Sequence, residues 1–214
     1  MRKFPSKTHW MLSLSLGLNI FLLLLGGTLV YSFRNRIYER FFPSENTTIL
    51  VLGDSMLAQE NWSLLLHRND LSNHAFGGAI TQHLLWNLQR GELNNPPKIC
   101  ILNGGINDLL SGIPPQRIFQ NYQQIIALLQ EKQVRVIINS ILTTTNNPRL
   151  NQTILALNQQ LKAYSEQKNC TFIDINSLFS TKQKGLNPTF ARDSIHLKSS
   201  SYTVWVKEVR RHLR

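Results

Sequence analysis

Four short apolar runs, rich in β-branched residues and each followed by a turn-favouring residue, constrain the fold most strongly. They lie at 48–52, 98–103, 134–139 and 171–175, with a weaker one at 71–76. Unbroken apolar runs of this length are typical of strands buried on both faces, as in a parallel sheet. Between and after them, apolar residues recur at helical spacing in 82–90, 115–130, 150–167 and 199–213. This alternation predicts one doubly wound α/β domain with helices on both faces of the sheet.

The excess positive charge is concentrated near the N-terminus. The chain has 23 Lys and Arg against 12 Asp and Glu, a formal charge of +11, and five of these excess charges lie in the first forty residues. A basic balance alone is compatible with nucleic acid or an anionic surface as partner. No nucleic-acid-binding motif accompanies it, so we expect no nucleic-acid partner. Two cysteines in 214 residues exclude a disulfide scaffold.

Residues 10–33 carry no formal charge and are flanked by basic residues. As a helix they would extend about 36 Å, enough to cross a hydrocarbon core of about 30 Å. Trp10 and Tyr31 lie near the two ends, where amphipathic rings favour a membrane interface. The predicted organisation is a basic tail at 1–9, a transmembrane signal anchor at 10–33, a juxtamembrane linker at 34–47 and a folded domain at 48–214.

This interpretation predicts a single-pass membrane protein whose domain lies on the translocated side, periplasmic or extracellular. Two alternatives stay open. The segment is also compatible with a signal peptide that is cleaved to release a secreted protein, or with a buried core helix.

Candidate chemical groups follow the predicted strands, where doubly wound sheets bind their ligands. Ser55 ends Gly53-Asp54-Ser55 after the first strand, and Gly78 and Asn107 follow later ones. Asp193 and His196 precede the last helix. Acyl transfer needs a nucleophile, a base, an acid that orients the base, and donors for an oxyanion. Ser55 suits the first role, His196 the second and Asp193 the third, with Ser55, Gly78 and Asn107 as oxyanion donors.

Four blocks in order carry a resemblance to a known family. They are ILVLGDS (Ile49–Ser55), NHAFGGAIT (Asn73–Thr81), NGGINDLL (Asn103–Leu110) and DSIHLKSSSY (Asp193–Tyr202). The sequence resembles the GDSL/SGNH hydrolases over residues 47–214. The resemblance implies a flavodoxin-like three-layer α/β/α sandwich around a five-stranded parallel sheet. It also implies serine ester hydrolysis without metal or organic cofactor. Ser55, Asp193 and His196 would form the triad, and Ser55, Gly78 and Asn107 the oxyanion hole.

Several further residues have simpler interpretations. Asp54 and Asp108 are expected to be structural, Asp108 by holding the Asn107 loop. Asp174 ends a strand and is a second candidate for the triad acid, although the four-block pattern favours Asp193. Cys100 and Cys170 begin strands that would be separated by one other strand, so we expect two buried thiols.

These observations predict a membrane-anchored serine esterase that acts on a small-molecule, glycan or lipid ester. A small domain without a long insertion favours short acyl groups such as O-acetyl, with lysophospholipid-like esters next. One alternative is an acyl or acetyl transferase to a glycan hydroxyl that uses the same residues. Another is a non-catalytic binding domain that keeps the fold.

Overall fold

The computed structural model describes residues 15–27, 47–181, 183 and 185–213, and the chain divides into two units, 1–43 and 44–214. The strands of the second unit are β1 (Ile49–Gly53), β2 (Leu71–Asn73), β3 (Ile99–Asn103), β4 (Arg135–Asn139) and β5 (Thr171–Ile173). Helix α1 covers residues 15–27 of the first unit. The helices of the second unit are α2 (Ser55–Ala58), α3 (Trp62–Leu66), α4 (Thr81–Asn87), α5 (Ile106–Leu110), α6 (Pro115–Glu131), α7 (Pro148–Gln167), α8 (Asn176–Phe179) and α9 (Tyr202–Arg211). A π-helical turn (Leu88–Glu92) extends α4, and a 3-10 turn (Ser199–Ser201) precedes α9.

The five strands of the described residues form one parallel sheet in the order β2-β1-β3-β4-β5. Within it, Ile49 of β1 lies opposite Leu71 of β2 on one side and Ile99 of β3 on the other. This arrangement confirms the predicted five-stranded parallel sheet. Because all strands are parallel, their carboxyl ends meet at one edge, which collects the candidate groups.

Alternate residues of each strand pack into two separate cores. Leu50 and Leu52 of β1 contact the core built with α4, α6 and α7, whereas Ile49 and Val51 contact the core built with α3, α8 and α9. The period of two along a strand explains the division. Helices therefore cover both faces of the sheet, which gives the predicted three layers.

The localisation predicted from the N-terminal segment is not supported. The helical residues that the structure describes in this segment are 15–27. In the described parts of the chain, none of the helices combines the length and the hydropathy that a membrane crossing requires. The predicted single-pass localisation, with the domain on the translocated side, is therefore wrong, and we do not retain it. The flanks of the predicted span (10–14 and 28–33), the tail (1–9) and linker residues 34–46 lie outside the described residues.

The two cysteines form no disulfide. Cys100 lies in β3 and is buried, as predicted, whereas Cys170 precedes β5 and is only half-buried. Strand β4 lies between β3 and β5 and separates the two thiols.

Candidate active site

The turn after β1 places Ser55 at the start of α2. A methyl group added to Gly53 would lie 2.4 Å from the backbone oxygen of Asn103 in β3, so the end of this strand has room only for glycine. Asp54 then caps α2, and its Oδ1 accepts a hydrogen bond of 2.9 Å from the N–H of Met56. The close approach of β1 to β3 and this cap together determine where Ser55 projects.

Ser55, His196 and Asp193 lie in one hydrogen-bonded chain, although Ser55 and His196 are 141 residues apart. Ser55 Oγ lies 2.9 Å from His196 Nε2. On the other side of the ring, His196 Nδ1 lies 2.8 Å from Asp193 Oδ2 and 3.0 Å from Oδ1. An ionised carboxylate only accepts hydrogen bonds, so Nδ1 carries a proton and Nε2 of the neutral ring faces the hydroxyl as an acceptor. This arrangement suits a proton transfer from Ser55 to His196.

The loop from Asp193 to His196 is organised by the carboxylate itself. Asp193 Oδ1 accepts hydrogen bonds from the backbone N–H groups of Ile195 (3.0 Å) and His196 (2.8 Å). Partial desolvation raises the pKa of Asp193, but these backbone donors and the His196 imidazole outweigh it, so the pKa lies well below its ordinary value. Asp193 therefore stays ionised over the pH range in which proteins are stable.

The guanidinium of Arg192 adds a weaker contact to the same carboxylate. Its Nη2 lies 3.3 Å from Asp193 Oδ2, and its Nη1 lies 3.3 Å from the side-chain oxygen of Gln59, directly after α2. Both side chains of the Arg192–Asp193 pair are largely solvent-exposed, so we assign the pair little stabilisation. Arg192 carried no sequence signal, because its contact with Gln59 depends on the tertiary structure.

Gly78 lies on a loop that contacts helix α5, which carries Asn107. Gly78 has φ +75°, a conformation that glycine adopts readily, and it is exposed. The Asn107 amide donates a hydrogen bond of 2.9 Å to the carbonyl of Ala79. Phe76 N–H donates to the carbonyl of Gly53 at 3.1 Å, which fastens the glycine loop to the end of β1. The structure thus brings Gly78 and Asn107 to the edge at which Ser55 lies.

A buried clamp holds these loops in place. The carboxylate of Asp108 accepts hydrogen bonds from the Thr81 N–H, at 2.9 and 3.1 Å, and from the Thr81 hydroxyl, at 2.5 Å. The Asn121 amide donates to the same hydroxyl, and the Tyr122 hydroxyl donates to the carbonyl of Gly104. Asp108 thereby ties the Asn107 helix to the start of α4, in the structural role expected of it. Asn121 and Tyr122 carried no sequence signal for this role, since each is an ordinary helix residue.

Asp54 and Asp174 are the other two carboxyl groups at this edge. Asp54 is fully buried, and burial, opposed by the Met56 hydrogen bond and reinforced by the charge of Asp108, raises its pKa to about 7. Asp174 Oδ1 accepts hydrogen bonds from the Ser140 hydroxyl and the Asn176 N–H, both 3.1 Å long. The imidazole of His196 is therefore paired with Asp193 rather than with Asp174.

Comparison with known families and structures agrees with the fold. The model of the GDSL-like Lipase/Acylhydrolase family matches residues 51–204, which is most of the chain. A solved structure of a GDSL-like lipase from Bacteroides thetaiotaomicron VPI-5482 superposes with a TM-score of 0.72 at 17% identity. That superposition covers 85% of this chain and 97% of the other.

Two curated relatives differ from each other in activity. The platelet-activating factor acetylhydrolase IB subunit alpha2 of Gallus gallus is 28% identical over 163 residues, covering 72% of this chain and 70% of that protein. The N-acylneuraminate cytidylyltransferase of Streptococcus agalactiae serotype III (strain NEM316) is 28% identical over 181 residues, covering 81% of this chain. The match spans only 42% of the length of that cytidylyltransferase.

Proposed function

Because this chain belongs to the GDSL-like lipase/acylhydrolase family, we propose that it is a serine ester hydrolase. The observation that carries the proposal is the continuous chain of hydrogen bonds from Ser55 Oγ through His196 to Asp193, with lengths of 2.9 and 2.8 Å. A nucleophile, a base and an acid that orients the base are the groups that acyl transfer requires.

In the proposed reaction, Ser55 Oγ attacks the ester carbonyl while His196 Nε2 takes its proton. Asp193 stabilises the resulting imidazolium and stays ionised throughout. When the tetrahedral intermediate collapses, His196 gives that proton to the leaving alkoxide and an acyl-Ser55 ester remains. Water then attacks this ester with His196 again as base, releasing the carboxylic acid and restoring Ser55.

The oxyanion is proposed to accept hydrogen bonds from the backbone N–H groups of Ser55 and Gly78 and from the Asn107 amide. Ser55 is the first residue of α2, so its N–H has no partner within the helix. The Asn107 amide has two hydrogens and uses one for the Ala79 carbonyl, which leaves the second for a ligand. Each such donor contributes about 10²–10³ to turnover in comparable sites.

We propose short acyl esters, such as acetyl esters, as the substrate class. Gly78 is exposed, and the Asp193 side chain keeps 44% of its surface accessible. A site this open offers little apolar surface for a long acyl chain. The Gallus gallus relative is named an acetylhydrolase, which supports the same class. The openness also favours one alternative, in which a glycan hydroxyl replaces water as the acceptor of the acyl group.

A fluorophosphonate probe tests the proposal directly. We expect it to label the folded full-length chain, with the adduct found by peptide mass spectrometry on the peptide that contains Ser55. Phosphonylation needs a nucleophile activated by its base, so heat-denatured protein should not react. A folded chain that stays unlabelled, or carries the label elsewhere, would contradict the enzyme and favour a non-catalytic binding domain.

Acyl preference gives a second expected result. We expect kcat/KM not to rise from p-nitrophenyl acetate through butyrate to octanoate, because the added methylenes reach solvent rather than a channel. An apolar channel would instead contribute about 0.8 kcal/mol for every methylene it buries. A value for octanoate about tenfold or more above that for acetate would show that such burial occurs, and the short-acyl assignment would then be wrong.

A further inference from the structure

Two buried carboxyl groups lie next to the groups assigned to catalysis. Asp54 directly precedes Ser55, Asp108 directly follows Asn107, and each is fully buried. From this placement we propose that Asp54 is a positioning residue that supports catalysis in its protonated form, and that loss of its proton weakens the oxyanion site. The inference rests on the proposed function for its catalytic part only.

The surroundings of Asp54 disfavour a charge. Its Oδ1 accepts one hydrogen bond, from the N–H of Met56, and its Oδ2 is buried without a hydrogen-bond partner among the described residues. Among the described residues, the ionisable groups that interact with it include Asp108 of α5, Tyr122 of α6 and Tyr202 of α9, all of them acids. A buried carboxylate without a cationic partner is costly, so the group keeps its proton instead.

The hydrogen bonds decide which member of the pair holds the proton. Both donors of Thr81 point at the carboxylate of Asp108, and this stabilises its negative charge. Asp54 has backbone N–H groups alone for the same purpose, chiefly that of Met56 and more weakly its own. The proton therefore resides on Asp54, in agreement with its raised pKa.

Loss of that proton would act on catalysis through charge. Ionised Asp54 adds a negative charge at the residue that precedes Ser55, whose backbone N–H is one of the proposed oxyanion donors. In a poorly screened interior this charge opposes the oxyanion of the transition state. We expect kcat to fall about tenfold as the pH rises from 7 to 9, less than the 10²–10³ that removal of a whole donor costs.

Asp54→Asn is the sharpest variant, because asparagine keeps an oxygen for the Met56 N–H and cannot ionise. We expect it to abolish the decline of kcat above pH 7. The pKa of Asp54 in the folded chain, about 7, lies above its ordinary value of 3.8. The folded state then binds up to one more proton than the unfolded state between these values. The stability of the wild type should therefore fall as the pH rises through this window, and the variant should lack that contribution.

Asp174→Asn is the matched control. Like Asp54, Asp174 accepts a hydrogen bond from the backbone N–H two residues later and lies shortly before a four-residue helix, α8. Unlike that of Asp54, its side chain is exposed. Urea unfolding from pH 4 to 8 and kcat from pH 6 to 9 should follow the wild type in this control. Infrared difference spectra of the wild type, titrated through pH 7, should show the loss of one protonated carboxyl band. This measurement remains available even if Asp54→Asn fails to fold.

Three results would contradict the inference about Asp54 or the proposed function on which its catalytic part rests. If Asp54→Asn keeps the wild-type dependence of stability on pH, or if no protonated carboxyl band titrates, Asp54 is not a neutral acid and the inference is wrong. If stability changes as expected but the kcat profile matches the wild type, its positioning role is wrong. If the wild type hydrolyses no ester while the stability and infrared results hold, the proposed function has failed and only the buried acid is supported.

Discussion

Ser55→Ala should lower kcat/KM for p-nitrophenyl acetate by about 10⁴–10⁶-fold, because Ser55 is the proposed nucleophile that forms the acyl-enzyme. The hydroxyl is half-buried and makes its hydrogen bond to His196, so its removal leaves the core unchanged. We therefore expect little change in the free energy of unfolding. Steady-state hydrolysis and urea unfolding of the same preparation measure both effects.

Ser63→Ala is the matched control for this variant. Ser63 is also half-buried and also lies in the first turn of a short helix, α3, but it has no contact with His196. It should keep wild-type activity. Triad members act as a unit, so the double variant Ser55→Ala/His196→Ala should be no slower than Ser55→Ala alone. If Ser55→Ala keeps more than about a tenth of the wild-type activity, the proposed serine mechanism is wrong.

Asp193→Asn should lower kcat by about 10³–10⁴-fold with a much smaller change in KM. The carboxylate holds His196 with Nδ1 protonated, at 2.8 Å from Oδ2. The amide of asparagine can donate to Nδ1 and so favours the opposite tautomer, in which Nε2 cannot accept the serine proton. The backbone N–H groups of Ile195 and His196 still find an oxygen, so the loop should keep its shape.

An aspartate-to-asparagine substitution at Asp174, the other candidate acid, tests which of the two carboxylates orients His196. Asp174→Asn should keep at least about half of the wild-type kcat, since Asp174 is bonded to Ser140 and Asn176 and contributes nothing to the imidazole. Equal losses in the two variants would mean that both carboxylates act on His196. A loss confined to Asp174→Asn would reverse the assignment.

The sheet was predictable because its signals are local. Runs such as 99–102 and 136–138 are apolar at consecutive positions, a pattern typical of a strand buried on both faces. Helix α6 likewise begins at Pro115 and shows a regular apolar face. Helices α3, α5 and α8 were missed, since four or five residues are too few to show helical periodicity.

The predicted localisation was wrong because it rested on composition. Absence of charge over residues 10–33 measures hydropathy and does not show that a helix crosses a membrane. Composition alone therefore suggested a membrane span that no described helix is long and apolar enough to form.

Sequence alone determined the layered α/β architecture and the five residues proposed for catalysis, because strand ends, glycine turns and the four blocks are short-range patterns. Tertiary structure decided which groups meet. It paired His196 with Ser55 across 141 residues and with Asp193 rather than Asp174. It joined Asp108 to Thr81 and buried Asp54 beside another acid. Hydrogen bonds and burial of this kind depend on distances in space, and proton affinities follow from them.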